Sequence, residues 1–509
     1  MALTSLEFAV FVFAAAVLYY TVFARYQWIF LLFVSYIYYM ASGIKNIVFL
    51  AAVTVVTYTA GILMNKTEGK RRRKKILVLA LILDFSILAV LKYTNFFISS
   101  INEIFFRNSS DGSISLFNLI LPLGISFFTF QSAGYMLDVY WKRSNAEKNF
   151  FRYALFVAWF PQIMQGPIGR FERLSEQFFE KHIFSFKHAE RALQLILYGM
   201  FKKMVLADKA ALLVDKIFHQ YEIFDGMVIL GVLAYSAQLY GDFSGGIDVV
   251  RGVSALFHVT LDENFRQPYF AKSITDFWHR WHITLGTWMK DYVFYPVSLS
   301  KWMGKLKKYT KQIFGKKMGR TIPICIANIL VFLLVGIWHG PAWKFVVYGL
   351  YNGLIIGFSG LMAEHYAKAR KICSIQENSR GFQFFQIIRT FILVNISWLF
   401  DMADTVGQAV QMFWNMFTRF DISPLLNGSI YADKPSLVSY RYIQISAIFI
   451  GCVVVFVISV LKERGTDVGE KLLSLAFPVK TMVYLAAVFS LPMLGMPPNM
   501  TGGFIYAQF

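Results

Sequence analysis

The sequence predicts an all-α, polytopic membrane protein, and three observations carry that reading. Hydrophobic residues make up 57% of the 509 residues and charged residues only 16%, a balance too apolar for a soluble fold of this length. Apolar runs of roughly 17 to 25 residues, the length that crosses about 30 Å of hydrocarbon, recur along the whole chain. The net charge of +20 is packed into a few short segments between those runs.

Full-length runs lie at 6–23, 46–64, 76–98, 190–206, 227–242, 322–338, 343–362, 383–400, 443–461 and 479–496, with shorter or more broken stretches at 28–42, 114–137, 150–166 and 283–300. The expectation is therefore roughly ten to fourteen membrane helices, with re-entrant or partly spanning elements among them. The first run follows Met1-Ala2-Leu3-Thr4-Ser5-Leu6-Glu7. With no basic n-region and no small-residue cleavage site, it reads as a retained helix rather than a signal peptide. Texture divides the chain into plain hydrophobic helices over 1–110, a block over 111–362 dense in Gly, Pro, Trp, His and Asp, and plainer helices over 363–509. The chemistry is expected in the middle block.

Basic residues cluster at Lys66 with Lys70 to Lys75, at Trp141-Lys142-Arg143, and in the segment 301–320, which holds eight basic residues and no acid. Positive-inside bias assigns these segments to the cytoplasm, with 301–320 read as a cytoplasmic loop. If the first three runs all cross, the N-terminus is extracytoplasmic, as is the polar loop Asn108-Ser109-Ser110-Asp111-Gly112. Topology and attraction to anionic lipid headgroups account for such clusters without nucleic acid as a partner. Cys325, Cys373 and Cys452 are far apart and form no Cys-x-x-Cys or Cys/His cluster, so neither a disulfide framework nor a metal site is expected.

Three motifs in the middle block combine helix breakers with polar groups: Leu121 to Gln131 (LPLGISFFTFQ), Phe160 to Arg170 (FPQIMQGPIGR) and Tyr240 to Asp248 (YGDFSGGID). Backbone that leaves the helix at membrane depth has to be buried in protein or line a cavity; loops at the membrane surface are the plainer reading of each. Asp242 and Asp248 are six apart across a Gly-Gly pair expected to make a turn. Paired acid–base carboxylates and salt-bridged structural acids both fit them.

Two histidines stand out because ionisable groups are costly in apolar surroundings. His339 follows the charge-free run Thr321 to Trp338, 18 residues and so about 27 Å of helix, and precedes Gly340-Pro341, which ends or bends it. A neutral imidazole there suits a general base; a capping histidine bonded to backbone fits as well. His282 lies in Asp276-Phe277-Trp278-His279-Arg280-Trp281-His282, where it reads either as a functional group or as a satisfied core histidine beside two tryptophans. His279 and His282, three apart, are expected to share a helix face, though with no matching carboxylate or cysteine they make a poor metal site.

At these residues the chain resembles the membrane-bound O-acyltransferases, within them the bacterial branch of the alginate O-acetyltransferase membrane subunit and the teichoic-acid D-alanyl transferase. The resemblance rests on Asn264 to Tyr269 (NFRQPY), Phe277 to His282, Trp288 to Tyr292 and Gly336-Ile337-Trp338-His339-Gly340. It extends to Pro122 to Gln131, Gln165-Gly166-Pro167 with Arg170, Tyr198 to Asp208 and the closing Phe504 to Phe509 (FIYAQF). The length and that closing string favour the alginate-acetylating type.

The resemblance implies a helical core with a central funnel or tunnel, the histidine matched by His339 being catalytic and the one matched by His282 its partner. Trp278, Trp281, Trp338, Gln165, Arg170, Asp242, Ser244, Asp248 and Asn352 are the candidates for lining the tunnel or pocket. It further implies an acyl group, acetyl above all, taken from a cytoplasmic thioester such as acetyl-coenzyme A or an acyl-carrier protein. That group goes to an extracytoplasmic polysaccharide at the bacterial cell membrane, with an SGNH-type acyltransferase as partner and no bound cofactor or metal. D-alanyl transfer to teichoic acid is the alternative, and a non-enzymatic transporter or scaffold is the reading from another class. The family's usual Asp-Phe-Ser-Gly-Tyr-Ser-Asp stands here as Asp242-Phe243-Ser244-Gly245-Gly246-Ile247-Asp248, a departure that puts alginate itself in doubt as acceptor. Hydropathy places His339 near the extracytoplasmic end of its run, whereas a tunnel waist has to be reached from both sides; a tilted or partly spanning helix, or a sunken outer surface, reconciles the two.

Overall fold

Apolar runs punctuated by capping residues fold as the sequence predicts: in the computed structural model 78% of the described residues are helical, and there is no strand among them. Those residues are 1–106, 113–119, 121–431, 441–495 and 504; the polar loop 108–112 and the closing string 505–509 lie outside them. Side-chain caps mark many helix starts. Ser5, Asn149, Ser273, Ser300, Ser379 and Thr405 each accept a hydrogen bond from a backbone N–H in the first helical turn, satisfying a donor that the helix itself leaves open.

The chain packs as two units. The first, Met1–Met200 and Gly245–Asp262 with Phe504, contains α1 (Leu6–Tyr20), α2 (Gln27–Met40), α3 (Ile47–Lys66), α4 (Lys70–Phe105), α5 (Ile125–Tyr140), α6 (Phe150–Ala158), α7 (Phe171–Phe179) and nearly all of α8 (Phe186–Phe201). The second, Phe201–Ser244 and Glu263–Met496, opens on a π-helical turn, Lys202–Ala207. It continues with α9 (Asp208–His219), α10 (Val228–Leu256) as far as Ser244, α11 (Ile274–Arg280), α12 (Ile283–Met289), α13 (Tyr295–Ser298), α14 (Lys301–His339) and α15 (Trp343–Ile372). The rest of it is α16 (Arg380–Met402), α17 (Val406–Thr418), α18 (Ser423–Leu426), α19 (Arg441–Glu463), α20 (Val468–Leu473) and α21 (Phe477–Leu494).

Among the described residues seven helices are long and apolar enough to cross a membrane: Ile44–Lys66, Lys70–Phe105, Lys301–His339, Trp343–Ile372, Arg380–Met402, Tyr442–Glu463 and Phe477–Leu494. The shorter apolar helices α1 and α2 accompany them, so the protein is a multi-pass membrane protein. The run at 190–206 divides between α8 and the π-helical turn.

Three local expectations change. The motif Tyr240 to Asp248 is not a break, since α10 runs through it without interruption. Its glycines serve close approach instead: a Cβ on Gly241 would stand 2.9 Å from the Lys202 carbonyl oxygen, and one on Gly246 would collide with Gln165. Asp242 and Asp248 therefore do not flank a turn, and six residues of helix put them on different faces. The basic segment 301–320 is not an irregular loop either. It is helical on both sides of Gly315, whose φ of 80° folds the chain back, so that the Thr310 hydroxyl donates to the Gly319 carbonyl at 3.3 Å. Lastly, α11 ends at Arg280, and His279 and His282 share no helix face.

By contrast, the first two broken motifs do leave the helix, and they pack on each other in the first unit. Gly124 begins α5 from a left-handed conformation, φ 72°, and approaches the Ile163 carbonyl so closely that no side chain would fit. The Gln162 amide donates to Gln131 Oε1 and, at 2.7 Å, to the Pro167 carbonyl, and Gln131 Nε2 donates to the Phe156 carbonyl at 2.6 Å. Polar loop backbone is thus satisfied inside the protein, as burial requires.

In the second unit α14 and α15 cross through glycine. A Cβ on Gly349 would collide with the Phe332 carbonyl and stand 3.0 Å from Gly336 Cα, and one on Gly353 would stand 3.0 Å from Ile329 Cα. We expect Gly349→Val to lower the unfolding midpoint of the detergent-solubilised protein, since overpacking of this kind costs about 1–3 kcal/mol. Gly304→Ala, where nothing lies within 4 Å, should not lower the midpoint in the same measurement, since alanine is the better helix former.

Candidate active site

His339 is the last residue of α14, and α15 returns along it after Gly340, Pro341 and Ala342. The return brings the imidazole against two rings of α15: Tyr348 at 5.1 Å between centroids and Phe345 at 6.2 Å. Its exposure is 3%.

His282 is held by the backbone. It occupies the left-handed region, φ 47° and ψ 53°, between α11 and α12, a conformation uncommon for a residue with a Cβ and one that its surroundings have to enforce. The enforcing group is Asn264, fully buried. Its side-chain oxygen accepts from the Thr284 backbone N–H at 2.9 Å and the Thr284 hydroxyl at 2.6 Å, and its carbonyl accepts from Ile283 N at 3.0 Å. Arg266 N donates to the Arg280 carbonyl at 2.9 Å on the other side of the turn. The Arg280 side chain is itself tethered to Asp276 at 2.9 Å and Glu463 at 2.8 Å.

One indole joins the two histidines. The Trp338 ring lies 5.7 Å from that of His282 and 5.4 Å from that of His339, and Phe243 of α10 stands edge-on to His282 at 4.9 Å. Around them Trp278 Nε1 donates to Asn352 Oδ1 at 3.2 Å, and Asn352 Nδ2 donates to the Tyr348 carbonyl at 3.0 Å. Trp281 is buried against Phe265, Phe277 and Trp398. His282 lies outside the seven spans, and burial pushes its imidazole down to about 3, with nearby His339 lowering it further. Near neutral pH it is therefore an uncharged ring with one N–H and one lone pair.

Beside this cluster lies a buried ion network. Lys203 Nζ is 2.5 Å from Asp242 and 2.8 Å from Asp208, and Lys202 Nζ donates to the Ser244 hydroxyl at 2.9 Å. Asp242 and Ser244 are thus bound to lysines of the π-helical turn. Burial works against the Lys203 charge, but Asp242 and Asp208 outweigh it and its pKa is raised.

Of the residues singled out from the sequence, the second unit contains His282, His339, Trp278, Trp281, Trp338, Asn352, Asp242 and Ser244. Gln165, Arg170 and Asp248 belong to the first. There Gln165 is fully buried, Arg170 reaches Asp138 at 3.4 Å and Asp248 reaches Arg251 at 3.7 Å. Sequence reasoning gave no individual role to Asn264, Phe243, Tyr348 or Lys203. Asn264 and Lys203 lie in motifs already quoted, but Tyr348 gives no sign in the sequence that it packs on His339.

An all-helical membrane fold with two buried histidines joined by a tryptophan defines a class that the comparisons with known proteins identify. The model of the family described as MBOAT, membrane-bound O-acyltransferase family, matches residues 146–394. The chain is 33% identical to the probable alginate O-acetylase of Pseudomonas aeruginosa over 402 residues, 79% of this chain and 72% of that one. It is 29% identical to the peptidoglycan O-acetyltransferase of Helicobacter pylori over 478 residues, 86% and 84%, and 30% identical to the teichoic acid D-alanyltransferase of Bacillus subtilis over 248 residues, 47% and 59%. The chain belongs to the membrane-bound O-acyltransferase family and is a membrane O-acyltransferase, as its motifs led us to expect. The non-enzymatic transporter and scaffold readings fall with that membership.

The depressed His282 has a consequence for stability. Unfolded, the ring takes up a proton near its ordinary value of 6.5, whereas the folded chain refuses one until about pH 3. Within that window the unfolded state binds more protons, so the contribution is complete above pH 6.5 and is lost as pH falls. We expect the unfolding midpoint to fall between pH 6.5 and about 4.5, and to fall less in His282→Gln, when both are followed by thermal scans in one detergent.

Proposed function

We propose that this enzyme takes an acetyl group from a cytoplasmic thioester and passes it to an extracytoplasmic polysaccharide of a bacterial envelope, with His339 as general base and His282 as its helper. The observation that carries the reading is the pair of imidazoles on one indole with unequal surroundings. A ring held down near 3 is too weak a base at neutral pH and suits hydrogen bonding to an acceptor hydroxyl or a developing oxyanion. The proton is left to His339. Its attack partner is the acceptor hydroxyl: as the oxygen adds to the thioester carbonyl, the ring takes the hydroxyl proton and later returns it to the leaving thiolate.

Acetyl rather than D-alanyl transfer is supported by the extent of the matches, 79% and 86% of the chain against the two O-acetylating relatives and 47% against the D-alanyl enzyme. The lysine-rich helix before Gly315 supports an anionic donor, either the phosphates of coenzyme A or an acidic carrier protein. Block 111–362 is the catalytic core on this reading. An SGNH-type partner completes transfer to the polysaccharide, and the tunnel lets acyl transfer and membrane passage be one event.

His339→Ala should reduce the acetyl content of envelope polysaccharide by about 100-fold or more at equal expression, and His282→Ala by less. Mass analysis of released glycans and teichoic acids reads the result and identifies the acyl group. Full acetylation in His339→Ala would remove the base from the scheme, and D-alanine on teichoic acid would replace the substrate.

Orientation is tested separately in a cysteine-free background. A membrane-impermeant thiol reagent applied to intact cells should label Thr4→Cys and spare Lys70→Cys; the opposite pattern would invert the topology.

A further inference from the structure

Asp84 lies inside the apolar part of α4, a candidate membrane span, and is fully buried. Neither of its carboxylate oxygens has a hydrogen-bond partner among the described residues. Lys92, the next cation along the same helix, is eight residues further on and so about 12 Å up the axis. An uncompensated carboxylate at such a position is among the costliest groups a membrane protein can carry.

The surroundings are polar in one direction. The Tyr153 phenol of α6 is also fully buried and lies 2.7 Å from the Thr57 hydroxyl of α3. The Ser132 hydroxyl of α5 and the Asp84 charge both act on this same phenol. One turn before Ser132 on α5 is Thr129. The Thr129 hydroxyl is buried with no hydrogen-bond partner among the described residues, and rings of the flanking residues Phe85 and Phe130 pack at 5.7 Å, bringing α4 and α5 together there. Three helices of the first unit, α3, α4 and α5, thus bring the Thr57 and Ser132 hydroxyls and the Asp84 carboxylate to the Tyr153 phenol of α6.

We propose that Asp84, with the hydroxyls of Thr57, Thr129, Ser132 and Tyr153, forms a membrane-embedded site for a monovalent hard cation, sodium above all. The donor set decides the class. Hydroxyl and carboxylate oxygens select hard cations over zinc or copper. A single carboxylate neutralises one positive charge, so a divalent ion would leave a net charge buried at membrane depth. Binding would order α3, α4, α5 and α6 against one another, and the role goes beyond acyl transfer.

The test uses the purified full-length protein in detergent. Thermal unfolding is followed in sodium, potassium and choline chloride at constant ionic strength, and binding of radioactive sodium is measured directly. We expect sodium to raise the unfolding midpoint saturably over choline by about 2 °C or more, with bound sodium near one per chain. Asp84→Asn should abolish both effects and Ser132→Ala should weaken binding. Equal midpoints in all three salts together with no sodium bound by the wild type would overturn the proposal, even if Asp84→Asn fails to fold. A sodium response retained in Asp84→Asn would overturn it as well. A midpoint that changes with pH but not with the cation would assign Asp84 as a protonated structural acid, again against the proposal.

Discussion

The glycine-lined crossing of α14 and α15 is the contact on which the histidine site depends. Between helices in hydrocarbon there is no gain from expelling water, so association relies on close packing, and small residues permit it. With Gly336, Gly349 and Gly353 at the contact, backbone meets backbone. The chain reverses within three residues after His339, and only such a close return can bring Tyr348 and Phe345 onto that ring. Trp338 is fixed by the same crossing, and through its indole so is the position of His282 relative to His339. A bulkier residue at the crossing would move one imidazole and not the other.

Polar groups in the second unit follow a different rule. Lys203 stands between two carboxylates, so the triad carries a net charge of −1 and burial favours one acid taking up a proton. Asp208 is the acid that would take it up first as pH falls, pushed up to about 6 by its burial with Lys203 opposing. Lys203 keeps its charge because Asp242 and Asp208 together outweigh its own burial. Removing the lysine would break both of these buried ion pairs, a change that typically costs about 3–5 kcal/mol per broken buried pair. The π-helical turn Lys202–Ala207 presents both lysines towards α10, and the missing Cβ of Gly241 leaves room for the turn. Local irregularity, glycine and charge pairing belong to one arrangement.

How much of this was readable in the sequence depended on whether the signal was local. Run length and charge placement carried the helical membrane fold, and the tryptophan–histidine strings carried the family. His339 was legible because an apolar run ends on it before Gly340 and Pro341. The turn at His282 was not: three-residue spacing suggests a shared helix face, and only Asn264, eighteen positions earlier, imposes the left-handed conformation that breaks it. Gly245 and Gly246 misled for a related reason. Two glycines in succession read as a break because they weaken an isolated helix, yet in α10 Gly246 admits the Gln165 side chain, and the Gly245 carbonyl lies against Gly199, where no Cβ would fit. Gly315 was the reverse case, an isolated glycine in a lysine-rich stretch that turns one helix into two.

Two buried imidazoles joined by one indole favour a division of labour on the proposed scheme. A proton on either ring would raise the cost of a proton on the other, and burial already disfavours both charges. A site of this kind accepts a proton only where substrate chemistry supplies a compensating negative charge, such as a developing oxyanion. On the proposed scheme the ring against Phe243 and Trp338, far below neutral in its affinity for protons, is the one that stays neutral and contributes its N–H. The unfavourable backbone conformation at His282 fits that assignment, because an orienting donor is worth only as much as its direction is fixed. Asn264 fixes it through three hydrogen bonds made to the two residues that follow. The strain is thus held at His282, while His339, at the end of a long helix, stands in ordinary helical geometry.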